Sequence, residues 1–117
     1  MKKHEKINYL EIPSKNLKIT KDFFIKAFNW NFVDYGSEYI SFSNEDIDRG
    51  FYKSDLSISI HNGDMLIVFY SNNLTKTQFK IIDAGGLILK NIFDFPGGRR
   101  FHFADPNGNE YAVLSDN

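Results

Sequence analysis

The chain has 117 residues, 42% of them hydrophobic and 25% charged, which is one domain's worth of sequence around a single core. Fourteen lysines and arginines face 15 acids, a formal net charge of -1, so the basic excess expected of a nucleic-acid or anionic-membrane binder is missing. Cysteine is absent, which removes disulfides, thiolate metal ligands and cysteine nucleophiles. Aromatics make up 16%, twelve of them Phe, a composition that folds rather than stays disordered. No run reaches the roughly 18 apolar residues of a membrane helix, and no apolar signal core follows the lysine-rich start. A cytoplasmic protein is the expectation, and the excess of Lys over Arg, with frequent Asn and Ile, suggests an AT-rich bacterial source.

In chain order, Ile7–Pro13 reads as a strand, with Ile7, Tyr9 and Glu11 on one face and Pro13 ending the ladder. Ser14 or Asn16 caps a helix whose apolar stripe is Leu17, Phe24, Ala27 and Phe28, with Thr20 and Ile25 beside it, ending near Asn29. Short strands are expected at Phe32–Asp34, Tyr39–Phe42 and Leu56–Ile60. Phe51-Tyr52 either opens the last of these or forms another piece, and Ser43–Gly50 reads as a polar turn. His61-Asn62-Gly63-Asp64 is the strongest linker signal.

The pattern then restarts. Met65–Tyr70 is an apolar strand, and Ser71, Asn72 and Asn73 offer caps. Leu74, Thr77, Gln78, Ile81 and Ile82 carry a second helix, which Gly85-Gly86 stops. Leu87–Leu89, Arg100–Phe103 and Glu110–Leu114 are strands, the last two joined by a type I turn at Asp105-Pro106-Asn107-Gly108. The elements repeat at about 57 residues, Asn16-Leu17 matching Asn73-Leu74. Each half is a βαβββ module, about 1–61 and about 64–117. Neither can bury both faces of its sheet alone, so an α+β fold follows: two βαβββ modules forming a curved mixed sheet, helices outside and a concave cavity inside.

The opening YLEIPSKNLKITKDFFIKAFNW and the closing GGRRFHFADPNGNEYAVL resemble the vicinal-oxygen-chelate superfamily, which includes glyoxalase I, bleomycin-resistance proteins, fosfomycin-resistance enzymes and extradiol dioxygenases. The likeness spans nearly the whole chain. Its most specific pieces, the helix ending in Phe28-Asn29-Trp30 and the F-x-D-P-x-G-N hairpin at Phe103–Asn109, are scaffold signatures and support fold more than activity. The resemblance implies a homodimer with a cavity per concave sheet. In metal-dependent members, His, Gln or Glu from four strands would hold one divalent metal that stabilises developing oxyanion charge.

By that resemblance, the first ligand position falls on Tyr9, the fifth-strand position near Leu66 and the last on Ala112, three residues after the hairpin Asn109. The fourth-strand position lies near Gly50–Tyr52, without His or Glu. These residues offer no metal donor set, so no metal cofactor and no standard glyoxalase I chemistry are expected.

Strand alternation puts Glu110 and Leu114 on the face of Ala112. Arg100 and His102 share a face that the resemblance to fosfomycin-resistance enzymes places on the substrate side. Tyr39 and Ser41 match them in the first module, Tyr9 points in from the first strand, and Phe51 and Tyr52 wall the cavity. The ligand-binding set is therefore Tyr9, Tyr39, Ser41, Phe51, Tyr52, Arg100 and His102, with His102 and Tyr9 as acid/base candidates. Each also has a plainer reading. His102 can be a hydrogen-bonded sheet residue, Arg100 with Arg99 a solvated pair, and Tyr9 a wall. His4 and His61 read as terminus and turn residues, Trp30 and the Phe stripe as core. Two functions remain open: a small-molecule binding protein with a metal-free cavity, serving sequestration or resistance, and a glyoxalase-like lyase or isomerase acting on a small oxygenated metabolite.

Overall fold

The computed structural model describes residues 3–42 and 47–116. The first module runs β1 (Tyr9–Ser14), α1 (Leu17–Phe28), β2 (Val33–Asp34), β3 (Tyr39–Phe42) and β4 (Asp48–Lys53); a 3-10 turn at Ile60–Asn62 lies in the connector. The second runs β5 (Ile67–Tyr70), α2 (Leu74–Asp83), β6 (Leu87–Phe95), β7 (Gly98–Ala104) and β8 (Glu110–Ser115). The expected α+β architecture is present as two open four-stranded mixed sheets, ordered β1-β4-β3-β2 and β5-β8-β7-β6, whose first pairs are parallel. No described helix is long and apolar enough to cross a membrane.

Local chemistry explains the helix ends. The Asn16 and Asn73 side chains each accept from a backbone N–H in the first helical turn, from Ile19 and Lys76. Asn29 closes α1 in the left-handed conformation at φ 59. Within α1, Phe23 is buried and Ile25 exposed, a shift of the expected stripe.

Three strand assignments in the first module and the connector differ from expectation. Pro13 does not end β1, because β1 pairs only with β4 and the missing N–H faces an unpaired edge. The fourth strand is Asp48–Lys53, which includes residues expected in a polar turn; 43–46 lie outside the described residues. Its charged Asp48 and Arg49 hid it from hydropathy. Leu56–Ile60 is not a strand. It is a connector clipped to the second sheet by Ile58, whose C=O accepts from the Glu110 N–H and whose N–H donates to Asn109 Oδ1.

One face of each sheet builds the common core. Ile12, Ile40, Phe42 and Phe51 come from the first sheet, Phe101, Phe103, Tyr111 and Val113 from the second. Helix α1 joins them: the Phe24 ring lies 5.5 Å from Phe51 and 5.7 Å from Tyr111, and Phe23 lies 6.2 Å from Phe103. The β7–β8 turn adds a polar joint. Asp105 Oδ1 accepts the backbone N–H groups of Asn107 and Asn109, and its Oδ2 accepts the Tyr111 hydroxyl. Asn107 Nδ2 donates to the Asn16 carbonyl and Thr20, and Asn109 Nδ2 to the Pro13 carbonyl at 2.6 Å, so this turn holds the first module to the second. Burial raises the Asp105 carboxyl above its ordinary range, although these hydrogen bonds pull it down, and burial likewise raises Tyr111.

Candidate functional site: two clefts on opposite sheets

Alternation sends the residues not used by the core to the other face of each sheet. On the first sheet this face carries Tyr9, Tyr39, Ser41 and Asp48, which line a cleft of about 530 Å³. The Tyr9 and Tyr39 hydroxyls meet at 2.5 Å, and the Tyr9 hydroxyl also lies 3.3 Å from Glu11 Oε2 as donor. Burial, reinforced by Tyr39 and Glu11, raises the Tyr9 phenol well above its ordinary value, so it stays protonated at neutral pH and serves as a donor. Gly50 makes the pair possible. A Cβ there would overlap the Tyr39 hydroxyl and fall 2.6 Å from Tyr9 Oη, so any larger residue would push the two hydroxyls out of their present places.

Phe51 does not wall this cleft. Its side chain is fully buried on the core face beside Phe24 and Phe42, because β4 starts at Asp48 and its alternation sends Phe51 inward. Tyr52 stands opposite Tyr39 in the ladder, half-buried and outside the cleft lining.

The second sheet carries a separate cleft of about 700 Å³, in which Arg100, His102 and Glu110 meet Lys90, Leu87 and Leu89 of β6 and the Ile60 turn. His102 is 3% exposed, and its Nδ1 lies 3.1 Å from Glu110 Oε2. The other oxygen, Oε1, accepts the Ile60 N–H at 3.2 Å. A carboxylate in this position orients the ring with a proton on Nδ1 and turns Nε2 away from Glu110. His102 Nε2 is buried with no hydrogen-bond partner among the described residues, as is Arg100 Nε. The Arg100 guanidinium lies over the Phe93 and Phe95 rings at 5.4 and 5.2 Å.

The expected site residues therefore divide. Tyr9, Tyr39 and Ser41 gather on one sheet and Arg100 and His102 on the other, and the two clefts share no lining residue. Lys90, Phe93 and Phe95 were missed because the strand was read only to Leu89; the aromatic pair before Pro96-Gly97-Gly98 was the available signal for a longer hairpin strand. His61, read as a turn residue, stands at the rim of the second cleft.

At the positions that the resemblance assigns to a metal, the side chains do not form a donor set for a divalent ion. Tyr9 is a protonated phenol, Leu66 precedes β5 and is apolar, and Ala112 lies buried beside Val68 and opposite His102 in the ladders. Gly50 and Tyr52, with Asp48, occupy the same face of β4. Among the described residues no three His, Asp or Glu side chains come together as a metal-binding group.

A family model described as Glyoxalase/Bleomycin resistance protein/Dioxygenase superfamily matches residues 6–113. No curated protein matches the chain. Among solved structures, a glyoxalase-related enzyme from Fulvimarina pelagi is 16% identical, with 95% of this chain and 88% of that one covered at a TM-score of 0.79. A glyoxalase/bleomycin resistance protein/dioxygenase family enzyme from Burkholderia phytofirmans is 13% identical over 96% and 99%, also at 0.79. A mutant of the fosfomycin resistance protein FosX from Listeria monocytogenes, complexed with Mn(II) and 1S,2S-dihydroxypropylphosphonic acid, is 16% identical over 96% and 90% at 0.78. At these identities the neighbours establish a shared fold.

Proposed function

The chain belongs to the glyoxalase/bleomycin resistance protein/dioxygenase superfamily, and from that membership we propose that it binds a small organic molecule in its clefts without a metal. The observation that carries this reading is a pairing of facts. The positions that the resemblance assigns to metal donors hold Tyr9, Leu66 and Ala112, while the second cleft retains polar groups, His102 Nε2 and Arg100 Nε, with no hydrogen-bond partner among the described residues. Buried polar atoms of this kind cost stability unless something pairs with them, and a bound molecule supplies the pair. The Listeria neighbour, captured with a small hydroxylated phosphonate, supports the capacity of the fold to hold such a ligand. The use we assign is sequestration or resistance in the cytoplasm.

A homodimer completes this reading. Both sheets are open, and β6, at the edge of its sheet, exposes Leu87 at 63% and Leu89 at 47%. A second copy would bury these side chains and enclose the clefts. A second functional reading, a lyase or isomerase, is favoured by one observation, the Glu110–His102 pair, whose oriented imidazole could take a proton from a bound metabolite at Nε2.

The test is an NMR titration of the full chain with a mixture of small organic fragments. The account expects shifts that concentrate on Tyr9, Tyr39, Arg100 and His102. Shifts confined to the helix faces, or none, would contradict it. His102→Gln then separates the two functions: a sequestering protein changes only in affinity, whereas an enzyme keeps its binding and loses turnover.

A further inference from the structure

Building on the ligand-binding reading above, we propose that the second cleft selects small carboxylates with an apolar body, the carboxylate held by Arg100 and Lys90. The chain carries a formal net charge of -1, yet two cations face this one cleft. The carboxylate there, Glu110, is already engaged at both oxygens by the Ile60 N–H and His102 Nδ1. Among the described residues no carboxylate forms an ion pair with Arg100 or Lys90, whereas neighbouring Arg99 lies 3.8 Å from Asp94.

The cations are also held in place. The Arg100 guanidinium carbon lies 5.4 and 5.2 Å from the centres of the Phe93 and Phe95 rings, and its planar fork of N–H donors suits a bidentate acceptor. Lys90 Nζ lies 4.3 Å from the centre of the same Phe93 ring. A half-buried guanidinium without an anion is unfavourable, and a carboxylate offsets that cost. A cationic ligand would meet two like charges. The apolar body follows from Ile60, Leu87 and Leu89, all exposed around this basic centre.

The experiment titrates the full chain with benzoate and 4-methylpentanoate, each against its own neutral amide, followed by calorimetry and by NMR of the Arg100 and His102 side chains. Each carboxylate is expected to bind at least about tenfold more tightly than its amide, the difference a charge-assisted hydrogen bond makes. Arg100→Gln should lower carboxylate affinity by about tenfold or more and amide affinity by distinctly less, which narrows the gap between acid and amide. Lys90→Gln, on the exposed edge strand, should give a smaller loss in the same direction and provides a second variant if Arg100→Gln folds poorly. Equal binding of acid and amide would overturn the carboxylate preference while leaving the ligand-binding reading intact. If none of the four compounds perturbs the cleft, both fall. If Arg100→Gln dissolves a dimer and no carboxylate binds, Arg100 serves a second copy of the chain and the proposal is wrong.

Discussion

Phe24→Ala is expected to destabilise the protein by about 3–5 kcal/mol, a large part of the roughly 5–15 kcal/mol that holds a domain of this size. Phe24 is fully buried and sits where the two modules meet. Its ring stacks on Trp30 at 4.4 Å, meets Phe23 edge-on at 4.9 Å, and reaches both Phe51 and Tyr111. Truncation removes the transfer energy of the ring and leaves a cavity bounded by stiff aromatic neighbours that cannot collapse into it. Urea denaturation measures the loss. Phe79→Ala is the control, since Phe79 is 69% exposed and its removal should change stability by only about 0.5 kcal/mol. A loss below about 1 kcal/mol for Phe24→Ala would mean that α1 does not join the two sheets as described.

Asn109→Ala is expected to cost about 2–4 kcal/mol although it removes little apolar surface. The side chain satisfies two backbone groups from distant parts of the chain: Oδ1 accepts the Ile58 N–H at 2.8 Å and Nδ2 donates to the Pro13 carbonyl. Truncation strands both inside the protein, where an unmet polar group costs more than a hydrogen bond contributes. Because Ile58 leads directly into the Ile60 turn, the same variant should loosen the rim of the second cleft. Asn109→Asp keeps the acceptor and loses the donor, so its loss should be smaller on the Ile58 side, read as retained hydrogen-exchange protection of the Ile58 amide. Equal exposure of that amide in both variants would rule out this division of labour.

These two residues also mark what the sequence made legible. Asn16, Asn73 and the Asp105–Asn109 turn act through hydrogen bonds to nearby backbone, so their meaning was visible in a short window. The alternation around Ala112 placed Arg100 and His102 on one face correctly, because β7 and β8 pair without a shift. The fourth strand was not legible. Its burial comes from partners across the sheet, so Arg49 is buried despite its charge and Gly50 is defined by two tyrosines from β1 and β3. Misplacing that strand also misplaced Phe51, since a register error exchanges the faces. The irregular pairing of β6 with β7, which shifts register between Ile88 and Phe93, broke the period that would have revealed Lys90 and Phe93. The division of the site between two sheets depends on how the modules pack, which no local pattern contains.

The central claim is that the clefts bind an organic ligand and no metal, and metal content tests it most directly. The protein is purified without chelator, its metals are quantified, and its thermal midpoint is recorded with and without Ni²⁺, Zn²⁺, Mn²⁺ and Fe²⁺. A ligand that binds only the folded state raises the midpoint by mass action. The account predicts no stoichiometric metal and no shift, as Tyr9, Leu66 and Ala112 provide no donor set. One metal ion per chain with a clear rise in midpoint would contradict it and move the enzyme reading to first place.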